Sequence, residues 1–122
     1  MIKLFLMAGS LFCMLSVVLG AFAAHGLKSR LSEYALGVFK TAADYQMMHG
    51  LALIATAILI KWGLNLTVAG WFFIAGTVLF SGSLYLLAIT GFKWLGPITP
   101  IGGVCFIVAW AIVLVQVARF KF

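Results

Sequence analysis

Charge is what this 122-residue chain has least of: charged residues make up 8% of it, and only Glu33 and Asp44 are acidic. Soluble domains carry about 25% charged residues, so a water-soluble globule is excluded. There is also no carboxylate pair for acid–base hydrolysis. Cysteines are equally few. Cys13 and Cys105 stand far apart without C-x-x-C or haem-attachment spacing, and they read as small apolar fillers. No Ser/His/Asp set and no metal motif is present, so the reading is not an enzyme, with no metal and no cofactor. The eight Lys and Arg give a net charge of +6 but fall singly at segment ends, not in a basic stripe. That pattern excludes nucleic-acid binding.

Apolar residues, by contrast, are abundant. They form 66% of the chain, about 80 residues, which is what four membrane spans of roughly 20 would use. The expected fold is a single-domain, all-α membrane protein with four transmembrane helices, over about 4–24, 45–62, 67–90 and 99–119, plus a short interfacial amphipathic helix between the first and second. The first apolar run ends at His25-Gly26-Leu27-Lys28-Ser29-Arg30. A cleaved signal peptide is the competing reading of this run. Its core is longer than the usual 7–15 residues, which favours a retained helix.

Residues 31–44 change character. Leu31, Tyr34, Ala35, Val38 and Ala42 share one helical face, and Glu33, Lys40, Thr41 and Asp44 share the other. This pattern predicts a helix lying in the headgroup plane, capped by Ser32. Lys61-Trp62-Gly63 and Lys93-Trp94 mark interfaces after the second and third spans. Thr99-Pro100 is a cap followed by a first-turn proline for the fourth. Four spans put both termini on one side, here side A; side B holds the 31–44 helix and the loop at 91–97. Lys3, Lys61, Arg119 and Lys121 on side A balance Lys28, Arg30, Lys40 and Lys93 on side B. The basic C-terminal tail then tips the orientation toward a cytoplasmic side A in the inner membrane.

Helices in lipid associate through small residues and hydrogen bonds. Ser16, Gly20 and Ala24 form such a stripe, as do His49, Ala52 and Thr56; Ala69, Gly76, Ser83 and Thr90; and Gly102, Cys105 and Ala109. Some of these stripes can join subunits, so a homo-oligomer is an expected partner state alongside membrane lipids. Trp110, deep in a span, is expected to send its N–H to a carbonyl or hydroxyl.

Placed by depth at roughly 1.5 Å per residue, the polar residues gather toward side B: His25, Tyr45, Gln46, His49, Ser81, Tyr85 and Thr99. Ser81 and Ser83 differ by about 200° around the helix, so Ser81 with Tyr85 is assigned to the cluster and Ser83 to the seam. Unpartnered, such groups cost on the order of 2–7 kcal/mol each in hydrocarbon. They are therefore expected to form one pocket, the candidate site for an anionic headgroup or small polar ligand. Simple bridging between helices is the alternative. A transporter or proton-conducting oligomer using His49 is a second alternative, weakened by placing Asp44 at the membrane boundary. Haem between His25 and His49 and a purely accessory or scaffolding subunit are the others.

The segments Gly20-Ala-Phe-Ala-Ala-His25-Gly26-Leu27, Tyr45-Gln46-Met-Met-His49-Gly50, Leu79-Phe-Ser81-Gly82-Ser83-Leu-Tyr85 and Leu95-Gly96-Pro-Ile-Thr99-Pro100-Ile-Gly102-Gly103 carry a resemblance. In this order they resemble the YgdD/YwdK-like bacterial membrane proteins, domain of unknown function 423. Ala23 departs from a frequent glycine. The resemblance implies a multi-span inner-membrane protein and transfers no catalytic residue.

Overall fold

A computed structural model describes residues 1–122, all in helices and short connections. Helix α1 covers Ile2–His25 and α2 covers Glu33–Lys61. The third rod is α3 (Thr67–Gly76), a π turn (Thr77–Ser81) and α4 (Gly82–Thr90), which run on without a break. A 3₁₀ turn at Lys93–Leu95 leads into α5 (Ile98–Arg119). Four helical rods are long and apolar enough to cross a membrane, as the composition requires. The chain ends lie at one end of the bundle, where Phe5 packs on Trp71 and Phe120 approaches Gly63.

The expected interfacial helix does not exist as a separate element. Residues 33–44 are the first turns of α2, continuous with the second span through Tyr45. No glycine, proline or cap separates Asp44 from Tyr45, and Phe39, Ala42 and Ala43 are buried like the residues that follow. Polar residues on one face do not break a helix whose other face is packed. Ser32 does cap it, its hydroxyl accepting the Ala35 N–H at 3.1 Å. At 29 residues the helix is about 43 Å long, well beyond the ~30 Å hydrocarbon core. The 67–90 span is found as expected. The fourth starts one residue early at Ile98, and Thr99 makes no cap bond.

α2 is the central helix and buries ten residues. α1 lies along it at backbone contact: a Cβ on Gly9 would stand 2.7 Å from the Gly50 carbonyl oxygen, so only glycine permits this crossing. The α1 seam is therefore Phe5, Gly9, Ser16 and Ala23. Gly20 has nothing within 4 Å of where its Cβ would be, and Ala24 is exposed, which corrects the Ser16–Gly20–Ala24 stripe. Four-residue spacing drifts around a helix of 3.6 residues per turn, and here it drifts out of the contact. On the other three rods His49, Ala52, Thr56, Ala69, Gly76, Ser83, Gly102 and Ala109 are buried on packed faces and Cys105 is half-buried, but Thr90 is exposed and falls outside the third-rod stripe. Phe5, Leu53, Phe73 and Phe106 centre the main apolar core.

Candidate functional site

The register between helices sets the depth of the polar residues. Ser16 donates its hydroxyl proton to the Ala43 carbonyl at 2.6 Å, and Gln46 donates from Nε2 to the Phe12 carbonyl at 2.9 Å. Ser81 donates to the Ala42 carbonyl at 2.8 Å. Residues 42–46 of α2 thus lie level with Phe12 and Ser16, near the middle of α1, and with Ser81 in the third rod. The polar cluster belongs to the mid-plane of the bundle, not to its side B half. Beginning the second span at Tyr45 misplaces it, because α2 extends three further turns toward side B. Asp44 moves with it, from the boundary to mid-depth.

Two separate assemblies emerge from the seven candidate residues. In the first, the Tyr85 hydroxyl donates to Gln46 Oε1 at 2.7 Å while Gln46 holds the Phe12 carbonyl. One amide side chain thereby ties α1, α2 and α4 together, with Ser81 beside it. The choice of Ser81 and Tyr85 as the pair facing α2 agrees with this arrangement. Ser83 is the residue left out. Its hydroxyl donates to the Phe80 carbonyl at 2.9 Å and lies 2.6 Å from the Thr99 hydroxyl. Since the Ser83 proton is committed, Thr99 is the donor of that pair. Thr99 therefore serves the contact between the third rod and α5 and does not join the mid-plane cluster.

The second assembly is built around His49, which is 3% exposed. Its Nδ1 is 2.9 Å from the Tyr45 carbonyl, and the Trp110 indole Nε1 is 3.1 Å from its Nε2. A carbonyl only accepts and an indole N–H only donates, so the ring is neutral with its proton on Nδ1. Phe106 stacks on the imidazole with centroids 3.6 Å apart, and Phe73 and Trp110 meet each other edge-on at 4.9 Å. Tyr45, 38% exposed, leans on Phe80 at 4.6 Å. Tyr45, His49, Phe80, Phe106 and Trp110, with Met48, Gly103 and Ile107, border a groove of about 360 Å³ between α2 and α5. Trp110 does find a polar acceptor, but it is an imidazole and not a carbonyl or hydroxyl. A lone tryptophan in an apolar run carries no signal that pairs it with a histidine 61 positions away.

His25 joins neither assembly; it is exposed in the last turn of α1. No buried side-chain nitrogen or oxygen is left without a hydrogen-bond partner. The single pocket expected from the seven residues is thus not formed: they divide between separate hydrogen-bonded joints, and only Tyr45 and His49 border open space, the groove between α2 and α5. The cleft at the side B end, about 490 Å³, is bordered by Arg30, Ser32, Thr90 and Lys93 together with the apolar Tyr34, Ala35, Val38, Leu87 and Ile89. It carries two cations and no carboxylate. Gly91, with φ of 72°, turns the chain at its rim, a left-handed conformation suited to glycine. Arg30 and Lys93 flank different spans, so their convergence is not readable from linear order.

The comparisons with known proteins agree with this architecture. Residues 19–103 match the family model described as a protein of unknown function, DUF423. The UPF0382 membrane protein of Staphylococcus aureus (strain bovine RF122 / ET3-1) is 47% identical over 98% of both chains. Staphylococcus haemolyticus (strain JCSC1435) has a UPF0382 membrane protein 45% identical over 97% of this chain and 98% of its own. The UPF0382 membrane protein YwdK of Bacillus subtilis (strain 168) is 43% identical over 97% of this chain and 98% of its own. No solved structure matches the chain. With four rods of membrane-spanning length and relatives that are membrane proteins and match it over nearly their whole length, this chain is an integral membrane protein and belongs to the DUF423 family.

Proposed function

We propose that this protein is a non-enzymatic membrane protein that holds the anionic headgroup of a lipid in the side B cleft. The observation that carries the reading is the lining of that cleft: Arg30 and Lys93 at its rim, with Tyr34, Val38, Leu87 and Ile89 beneath. A phosphate-bearing amphiphile at the interface needs that division, cations for the headgroup and apolar wall for the acyl chain. Glu33, in the first turn of α2, borders the neighbouring groove and not this one.

A role without catalysis is supported by the hydroxyls, since Ser16, Ser81 and Ser83 each spend their proton on a backbone carbonyl. None is aimed at a base. Transport through His49 is disfavoured by the two hydrogen bonds that occupy both ring nitrogens. The same reading places the protein in the inner membrane with both termini in the cytoplasm and the cleft on the opposite side.

The test is native mass spectrometry of the full chain released from membranes of known lipid content. Each cation near a surface contributes about 1 kcal/mol toward an anionic lipid. The Arg30→Gln/Lys93→Gln variant should therefore retain roughly 30-fold less phosphatidylglycerol, with phosphatidylethanolamine unaffected. Equal retention by the variant and the wild type rejects the cleft as the site.

A further inference from the structure

Lys40 and Asp44 lie one turn apart on the outer face of α2, both exposed. Asp44 follows Ala43, whose carbonyl is bonded to Ser16, and it lies two residues past Ala42, which is bonded to Ser81. Measured along α1 from His25 to Ser16, and along α4 from Thr90 to Ser81, this level is about 14 Å inside the side B end. Half of a ~30 Å hydrocarbon core is about 15 Å. An 18-residue stretch of α1 has a mean hydropathy of 2.2 and one of the third rod 2.0. Neither carries an acidic or basic residue between Lys3 and His25 or between Thr67 and Thr90. The rods on either side therefore hold the Asp44 carboxylate near the bilayer mid-plane, on a face that no other part of the chain covers.

Ionisable residues at such depth face a bundle interior, a partner or water, and not lipid. The same face carries Gly37, whose Cβ would meet nothing within 4 Å, and Thr41 one turn later. Small residues four apart let a second helix approach closely. An open groove of about 410 Å³, bordered by Glu33, Gly37, Thr41 and Leu84, continues that surface toward side B.

We propose that this face of α2 is the contact between two copies of the chain, related by a two-fold axis along the bilayer normal. A two-fold contact is self-complementary, and a lysine four residues before an aspartate fits that rule. Lys40 of each copy lies beside the partner subunit's Asp44, with the offset of about 6 Å taken up by the lysine stem. Two opposed charges are thereby removed from lipid at two symmetric places. Met48 and Leu51, exposed farther along the same face, complete it as an apolar contact.

The test uses fluorescently labelled full-length chain in phosphatidylcholine liposomes, with stoichiometry read by single-molecule photobleaching and pairing by energy transfer. Wild type should bleach in two steps. Asp44→Lys and Lys40→Asp each bring like charges together and should weaken pairing by at least about tenfold. The double exchange Lys40→Asp/Asp44→Lys should restore it, and a mixture of the two single variants should form mixed pairs. Gly37→Leu adds bulk where the single chain has room, so it should abolish pairing while leaving helical content intact and the stability of the single chain unchanged or raised through helix propensity. A single-copy wild type, or pairs that survive both Asp44→Lys and Gly37→Leu, overturns the proposal.

Discussion

Trp110 sends its indole N–H into the lone pair of His49 Nε2 at 3.1 Å, joining α5 to α2 across a gap their backbones do not close. Because the opposite ring nitrogen faces the Tyr45 carbonyl, the imidazole has one tautomer that satisfies both neighbours. Nitrogen-15 NMR of histidine-labelled protein should show Nε2 unprotonated and Nδ1 protonated in neutral buffer. An Nε2–H tautomer contradicts the arrangement. Trp110→Phe keeps much of the ring contact but strands Nε2, and should lower unfolding stability by about 1–3 kcal/mol.

Gly102 lies against the backbone of the π turn. A Cβ there would fall onto the Phe80 backbone nitrogen and stand 2.8 Å from its Cα, neither of which is free to swing aside. Gly102→Ala should destabilise by about 1–3 kcal/mol in thermal unfolding. Gly20→Ala is the control. Nothing lies near its added methyl, and the change should be neutral or stabilising by up to about 1 kcal/mol through helix propensity.

The bond from Tyr85 to Gln46 Oε1 lends itself to a double-mutant cycle. Tyr85→Phe, Gln46→Leu and the pair together should return a coupling of about 0.6 kcal/mol, with an upper end near 1.7, by analogy with other membrane helices. Gln46→Leu alone should cost more than Tyr85→Phe alone, because it also removes the amide donor from the part-buried Phe12 carbonyl. A coupling of zero removes the bond from the account of the fold.

A one-residue deletion at the centre of a membrane helix ordinarily rotates everything beyond it by about 100°. The π turn at Thr77–Ser81 already contains a surplus residue relative to an α turn. Deleting Val78, which is 58% exposed, should therefore give a continuous α-helix with Phe73 and Ser81 still facing inward. Circular dichroism and thermal unfolding should stay close to wild type, whereas deleting the exposed Leu51 from α2 should disrupt the fold.

Much of this architecture is legible from sequence, for identifiable reasons. The four rods show because breakers and Lys/Trp anchors separate apolar runs, and the Ser81–Tyr85 face shows because helical periodicity is local. The extent of α2 is not legible. In a lone chain, Lys40 and Asp44 read as the edge of a membrane, since sequence does not reveal that Ser16 and Ser81 anchor the segment at mid-depth. The π turn has no composition of its own. His49 is singled out as an ionisable group inside a span, but the partners that occupy its two nitrogens are a backbone carbonyl and a distant indole. The split of the polar residues into two joints, with His25 and Thr99 outside both, depends on contacts between segments that are remote in the chain.

The bonds linking α1 to α2 have an implication for how the protein is made. Ser16 and Ala43 are 27 positions apart, and Phe12 and Gln46 are 34. Synthesis releases the chain from its N-terminus at about 5–20 residues per second, so these partners emerge within seconds of each other. The α1–α2 hairpin can close and shield its buried hydroxyl and amide before the rest has left the ribosome, giving the later helices a finished surface on which to settle.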